Sequence, residues 1–172
     1  WIQTEAAGSA RPGQFISMYT NDGSKLLPRP ISICEIDKEG GKLRVVYRVT
    51  GEKTGTEEFS QMKAGDTIPV IGPLGNGFPF EKAEGKKVFL MGGGIGVPPI
   101  LELAKQMECE KKQIVVGYRD AHTFLKEEFE QAGELYISTE DGSVGTKGNV
   151  MDAIRENALE ADMIYACGPT PM

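Results

Sequence analysis

The sequence predicts two domains of different class: an antiparallel β-barrel followed by an α/β domain built on a parallel sheet. Three observations carry this. Short apolar runs separated by turn residues fill the first half, and apolar strands alternate with helices of period 3.6 in the second. The change of pattern falls in the polar stretch at residues 81–85. The domains are therefore expected at residues 1–83 and 84–172.

In the first half, residues 14–20 and 31–36 are apolar-rich strands. Residues 42–49 alternate, with Leu43, Val45, Tyr47 and Val49 on one face and Arg44 and Arg48 on the other. Glu39-Gly40-Gly41 supplies the hairpin turn before them. Residues 67–71 form a further strand, which Pro69 places at an edge or a bulge. One short helix interrupts the strands: Thr56 caps it, Glu57 and Glu58 suit its positive end, Phe59 and Met62 face inward, and Ala64-Gly65 stops it. Close-spaced short strands of this kind make a small barrel or sandwich.

In the second half, strands are expected at 87–91, 113–117, 135–138 and 163–166, with helices at 97–108, 124–131 and 149–156. The first of these helices carries Ile100, Leu103, Ala104 and Met107 on one face. Strands that alternate with helices pair in parallel and are covered on both faces.

Composition excludes several classes. The 172 residues are 40% hydrophobic and 26% charged, as in ordinary globular chains. A net charge of -6 without a basic stripe argues against nucleic-acid binding. No apolar run approaches the ~18 residues of a membrane span. Cys34, Cys109 and Cys167 are too scattered for a disulfide framework or a metal site, so a reducing, cytoplasmic setting is expected. The chain starts at Trp1 and stops at Thr170-Pro171-Met172, which reads as a fragment with both ends missing.

The richest segment is Met91-Gly92-Gly93-Gly94-Ile95-Gly96-Val97-Pro98-Pro99, between a strand and a helix. Glycines admit positive φ and let a ligand lie on bare backbone, while the helix start offers free N–H groups; a diphosphate suits such a place. The alternative is a tight βα turn with no ligand. The spacing is not the usual dinucleotide fingerprint, because no acidic residue follows at the expected distance. Residues 138–143 and 166–169 also follow strands, so three polar or glycine-rich loops converge on one sheet edge. Asp141 and Glu140 there are either ribose contacts, which would favour NAD over NADP, or ordinary turn acids. In the first half Arg29 and Arg48 are either surface arginines or phosphate partners, and Gly55-Thr56 is either a cap or a second phosphate site. His122 flanks the helix near Phe124, Cys34 is a small core residue, and Cys167 has no evident base to make it a nucleophile.

Taken together, Arg29-Pro30-Ile31-Ser32, Gly55-Thr56, Gly72-Pro73-Leu74-Gly75-Asn76-Gly77-Phe78, the glycine loop and Cys167-Gly168-Pro169 resemble the ferredoxin-reductase family of flavoproteins. Within it the pattern is most similar to the electron-transfer subunits of NAD-linked bacterial dihydroorotate dehydrogenases, and the likeness runs over nearly the whole chain. The resemblance implies a six-stranded FAD barrel and a pyridine-nucleotide domain. By it, Arg29, Pro30, Ile31 and Ser32 lie along the flavin, with Ser32 near its reactive nitrogen. Val46, Tyr47 and Arg48 line the cofactor, and Gly55 and Thr56 hold its diphosphate. Gly92, Gly93, Gly94, Ile95, Gly96 and Val97 take the NAD(H) diphosphate, with Cys167, Gly168 and Pro169 beside the nicotinamide. The chemistry implied is hydride transfer between NAD(H) and FAD, carried by the cofactors and needing no essential side-chain acid or base.

The same resemblance implies a 2Fe-2S cluster held by four thiolates in a segment beyond this chain, and no metal site within it. It also implies an FMN-containing dihydroorotate dehydrogenase catalytic subunit as partner in a hetero-oligomer of pyrimidine biosynthesis. Related reductase subunits that serve NAD(P)H and ferredoxin, a hydrogenase or a sulfite reductase are the nearest alternative. Cys167-Gly168-Pro169-Thr170-Pro171-Met172 favours the dihydroorotate branch, since those relatives carry Gly-Pro-Pro before the Met. A non-catalytic flavin-binding or docking module is the alternative from another class.

Overall fold

The computed structural model describes residues 1–169, and the chain divides into two compact units, Trp1–Gly77 and Phe78–Met172. The division comes earlier than the polar stretch at 81–85 because Phe78 and Pro79 are engaged with the second unit. The Phe78 ring meets Tyr165 edge-on at 5.9 Å, and the Tyr165 hydroxyl donates to the Pro79 carbonyl at 3.0 Å.

The first unit is one curled antiparallel sheet. Its strands are β1 (Ile2–Gln3), β2 (Phe15–Met18), β3 (Arg29–Asp37), β4 (Lys42–Val45) and β5 (Val70–Leu74), in the order β1-β4-β3-β2-β5. Every pairing is antiparallel. The β3–β4 hairpin closes at the expected turn: Gly41 takes φ 63°, and the Gly40 amide donates to the Asp37 carboxylate. Among the described residues the sheet has five strands and two unpaired edges, β1 and β5, where a closed six-stranded barrel was expected. A cleft of about 1030 Å³ lies along the β1 edge, lined by Ile2, Val45, Tyr47, Phe59, Met62 and Ile68 among others. The strand expected at 42–49 ends at Val45, and the chain beyond it turns toward helix α1 (Gly55–Gln61). The helix N-cap is Thr54, two residues before the expected Thr56; its side chain accepts from the Glu57 amide. Ile16, Met18, Ile33, Leu43 and Phe59 form the core between sheet and helix, with Ala7 and Ala10 of the N-terminal segment.

The second unit is a parallel sheet of β6 (Lys87–Gly93), β7 (Lys111–Tyr118), β8 (Glu134–Thr139), β9 (Thr146–Lys147) and β10 (Met163–Cys167), ordered β10-β6-β7-β8-β9. The two-residue β9 gives no sequence signal. Helices α2 (Pro98–Gln106), α3 (Lys126–Ala132) and α4 (Val150–Glu156) complete it. Pro98 and Pro99 occupy the first turn of α2, where no intrahelical donor is required. Asn149 caps α4 in a reciprocal box with Asp152. Alternate residues of β6 and β7 are buried on both faces: Phe89, Met91 and Val115 meet Val150 and Ala153 of α4, while Val88, Leu90, Ile114 and Val116 face the other layer.

Phe129 of α3 is fully buried. Phe129→Ala should therefore cost about 3–5 kcal/mol of stability, read as a lower denaturant midpoint for unfolding. A change below about 1 kcal/mol would contradict this packing.

Candidate functional site

In the first unit the structure brings Arg29 to the start of α1. A Cβ built on Gly55 would stand 3.0 Å from Arg29 Nε and 3.0 Å from Thr20 Cγ2, so the guanidinium lies close against this backbone and a side chain here would have to displace it. Arg29 also donates to the Leu27 carbonyl. The loop before it is pinned by Lys25, whose ammonium lies 3.0 Å from Glu58 of α1 and 3.1 Å from Asp22. Thr56 is buried, and its hydroxyl accepts from the Thr50 amide at 3.0 Å and meets the Thr54 and Thr50 hydroxyls at 3.0 and 3.1 Å. Its hydroxyl therefore fastens the 50–54 loop in front of Gly55.

The remaining residues expected around the flavin divide by exposure. Pro30 and Arg48 are exposed, and Ser32 and Val46 are half-buried. Ser32 pairs with Phe15 across the β2–β3 ladder, and Ile31 packs on the core. The Tyr47 ring belongs to the core as well, edge-on to Phe59 at 6.1 Å. Tyr47 is thus half-buried, packed on the core and lining the cleft along the β1 edge. The 1030 Å³ cleft is lined by neither Arg29, Gly55 nor Thr56, so this cleft is not the expected phosphate site.

In the second unit the strand ends assemble in register. Cys167 pairs with Gly92, Gly93 with Gly117, and Gly117 with Ser138, giving a row of small residues along the carboxyl edge. Each glycine of the loop has its own reason. A Cβ on Gly96 would lie 2.1 Å from the Cys167 carbonyl oxygen and 2.7 Å from Gly168 Cα. On Gly92 it would meet Val97 Cα at 2.9 Å. Gly94 has open space around it and needs glycine for its φ of 53° instead. The loop tip, Gly94-Ile95, is exposed, and the Val97 amide closes it on the Gly94 carbonyl at 3.2 Å. Thus Gly92, Gly96 and Val97 pack with Cys167-Gly168, and the part of the loop open to solvent is its Gly94-Ile95 tip. Pro169 follows on the exposed side, and Thr170-Pro171-Met172 lie outside the described residues.

Two further groups stand at this edge. Gly117 is the last residue but one of β7, and a Cβ there would stand 3.1 Å from Val150 and 3.3 Å from the Ser138 hydroxyl. That Ser138 hydroxyl is fully buried and has no hydrogen-bond partner among the described residues. An unpaired buried hydroxyl costs about 1–3 kcal/mol and marks an edge not fully satisfied by the protein itself. Gly117 closes the strand expected at 113–117 and Ser138 opens the loop expected at 138–143; what the sequence does not show is their approach to each other.

The charges here are peripheral. Asp141 lies in the turn after β8, and hydrogen bonds from Ser143 hold its carboxyl below the usual carboxylate range. Asp120, after β7, is lowered likewise by the backbone and side chain of His122. His122 therefore serves the turn before α3, bonded to Asp120 at 2.7 Å. Burial pushes the Cys167 thiol up, which keeps it protonated at neutral pH. Among the described residues no group of three or more His, Cys, Asp or Glu side chains is placed to hold a metal ion. No helix among them is long and apolar enough to cross a membrane.

Comparison with known proteins adds names to this geometry. Residues 90–172 match the model of the oxidoreductase NAD-binding domain. The chain is 46% identical over 167 residues to the electron transfer subunit of dihydroorotate dehydrogenase B (NAD(+)) from Bacillus caldolyticus, and 47% identical over 168 residues to that of Geobacillus sp. (strain WCH70). Each match covers 94% of this chain and 64% of the relative, so the chain spans somewhat under two thirds of their length. Among solved structures, the NADH-dependent reduced ferredoxin-NADP oxidoreductase, studied for flavin-based electron bifurcation, superposes with a TM-score of 0.86 at 34% identity. It covers 100% of this chain and 63% of that one. Flavohemoglobin from Malassezia yamatoensis shares the fold, with a TM-score of 0.74 at 21% identity over 94% of this chain and 45% of its own.

The two loop glycines should respond differently to alanine. Gly96→Ala must push Cys167 and Gly168 away and should lower the melting temperature by several degrees, whereas Gly94→Ala meets only the φ penalty of about 1–2 kcal/mol. Equal effects in a thermal melt would contradict the assignment. Alkylation of Cys167 by iodoacetamide should stay slow at pH 8 and rise only above the ordinary thiol range; brisk labelling at pH 7 would show a thiolate and overturn the burial argument.

Proposed function

We propose, for a chain whose residues 90–172 form an oxidoreductase NAD-binding domain within the ferredoxin-reductase fold, that it is the flavin- and nicotinamide-binding part of an electron-transfer subunit. Its first unit would bind FAD and its second NAD(H). The whole protein would pass electrons through a 2Fe-2S cluster to an FMN-containing dihydroorotate dehydrogenase catalytic subunit in pyrimidine biosynthesis. The observation that carries this reading is the pair of backbone cradles: Gly55 against Arg29 in the first unit, and the exposed Gly94-Ile95 tip beside Cys167-Gly168 in the second. The names of the relatives supply the chemistry.

Both units fit the groups proposed for them. Arg29 would neutralise a flavin diphosphate drawn against Gly55, where a side chain would block the approach. Thr56 would act at one remove, by fixing the 50–54 loop through its three hydrogen bonds. Ser32 and the half-buried Val46 would meet the ring system from β3 and the segment after β4. In the second unit the Gly94-Ile95-Gly96 turn would present amide groups to a second diphosphate. Asp141, held ionised by Ser143, would accept from ribose hydroxyls and repel a 2′-phosphate, which favours NAD over NADP. Cys167 and Gly168 would bound the nicotinamide with a neutral thiol and backbone. When bound, the nicotinamide and flavin supply hydride transfer; the protein orients them and excludes water.

The cluster has no place within this chain, which has 3 cysteines where a 2Fe-2S centre takes four ligands. Its thiolates would belong to a segment of the whole protein outside these residues. A second reading, a subunit that serves ferredoxin chemistry, is favoured by the 0.86 superposition on the NADH-dependent reduced ferredoxin-NADP oxidoreductase.

Mixing the FAD-loaded protein with NADH under anaerobic conditions should bleach the flavin, and NADPH should do so at least tenfold more slowly. A protein that takes up no FAD, or whose flavin ignores NADH, would sink the proposal. Arg29→Ala should lower FAD retention and leave NADH binding intact; undiminished retention would remove Arg29 from the site. Adding the dihydroorotate dehydrogenase catalytic subunit or ferredoxin as acceptor to the whole protein separates the two readings.

A further inference from the structure

We infer that Tyr165 is a positioning residue, a strut that joins the start of the second unit to the strand end carrying Cys167 and Gly168. Its role in hydride transfer rests on the function proposed above; the mechanical link does not. Tyr165 is only 6% exposed, yet it lies on β10, an outer strand whose neighbours Ile164 and Ala166 are exposed. Edge strands of a parallel sheet fray first, so a deeply buried tyrosine there must be held by something outside the sheet. What holds it is the chain entering the unit: the hydroxyl donates to the Pro79 carbonyl at 3.0 Å, and the ring meets Phe78 at 5.9 Å and 89°.

Two residues on, Cys167 pairs with Gly92, and its carbonyl sits over Gly96. Phe78-Pro79, Tyr165, Cys167 and Gly96 are therefore consecutive links of one packed chain. Within the second unit, a displacement of Phe78 would be delivered through Tyr165 to the loop proposed to meet the nicotinamide. Burial raises the Tyr165 phenol, so the strut remains a neutral donor at working pH.

Tyr165→Phe keeps the ring and removes only the bond to Pro79; Phe78→Leu keeps the bond and removes the ring contact. In the full chain, Tyr165→Phe should speed amide hydrogen exchange both at Phe78 and Phe80 and at residues 166–168. With FAD bound, it should slow flavin bleaching by NADH about fivefold and change the NADH Kd by less than about twofold. Phe78→Leu should give the same coupled exchange pattern. Exchange that rises only at residues 78–80, or bleaching at the wild-type rate, would overturn the strut. A wild-type protein that is not bleached at all would defeat the functional reading instead, and the exchange measurement would still decide the strut.

Discussion

Where a side chain would project from Gly96, the structure places the carbonyl of Cys167, 2.1 Å from the position a Cβ would take. No rotamer or small shift relieves an overlap of that size between backbones. The end of β10 can rest on the glycine loop only because residue 96 has nothing there. At Gly55 of the first unit the neighbours are the Arg29 and Thr20 side chains at 3.0 Å, a milder crowding that those side chains can relieve. The exposed Gly94 matters for its φ alone. The site architecture follows from these contacts: fix Gly96 against Cys167, and the row Cys167, Gly92, Gly93, Gly117, Ser138 is set by the parallel register.

Much of this was legible in advance. The period change from two to 3.6 separated the units, and the alternation of Leu43, Val45 and Tyr47 located β4. The strand–helix order fixed a parallel sheet, and a parallel sheet sends all its strand ends to one edge. Other features were not legible because they depend on contacts distant in sequence. β1 pairs with β4 some forty residues away and has only two residues of its own. Thr56 looked like a cap because it precedes two glutamates, but the cap is Thr54, and Thr56 turns inward to its neighbouring threonines. The unit boundary looked polar, yet the residues that decide it are Phe78 and Tyr165, aromatic and 87 apart in sequence.

The electrostatics sort by position along the carboxyl edge of the second unit. Its inner part is neutral: backbone at Gly92 to Gly96, a thiol kept protonated by burial at Cys167, and an unpaired hydroxyl at Ser138. The permanent charges, Asp141 and Asp120, stand in exposed turns, each tied by local hydrogen bonds that keep it ionised. On the function proposed above, anchored charges at the rim would select which molecule enters, and neutral backbone within would set where it lies. Interchanging the two would be costly, because an ionised group amid the buried glycines would have no partner to offset its desolvation.

That arrangement also bears on the kind of chemistry the chain supports. A site built for general acid–base work needs a titrating group poised near neutrality and held against the reacting atoms. Here the titratable groups at the inner edge are moved away from neutrality: burial raises both the Cys167 thiol and the Tyr165 phenol. The sole histidine is bonded to Asp120 in an exposed turn and helps shape the approach to α3. Hydride transfer makes none of those demands, since the electron pair moves with its proton between two rings that carry the reactivity themselves. What it requires is fixed distance and a dry, uncharged surround. Glycine backbone and neutral side chains are what the hydride transfer proposed above would use.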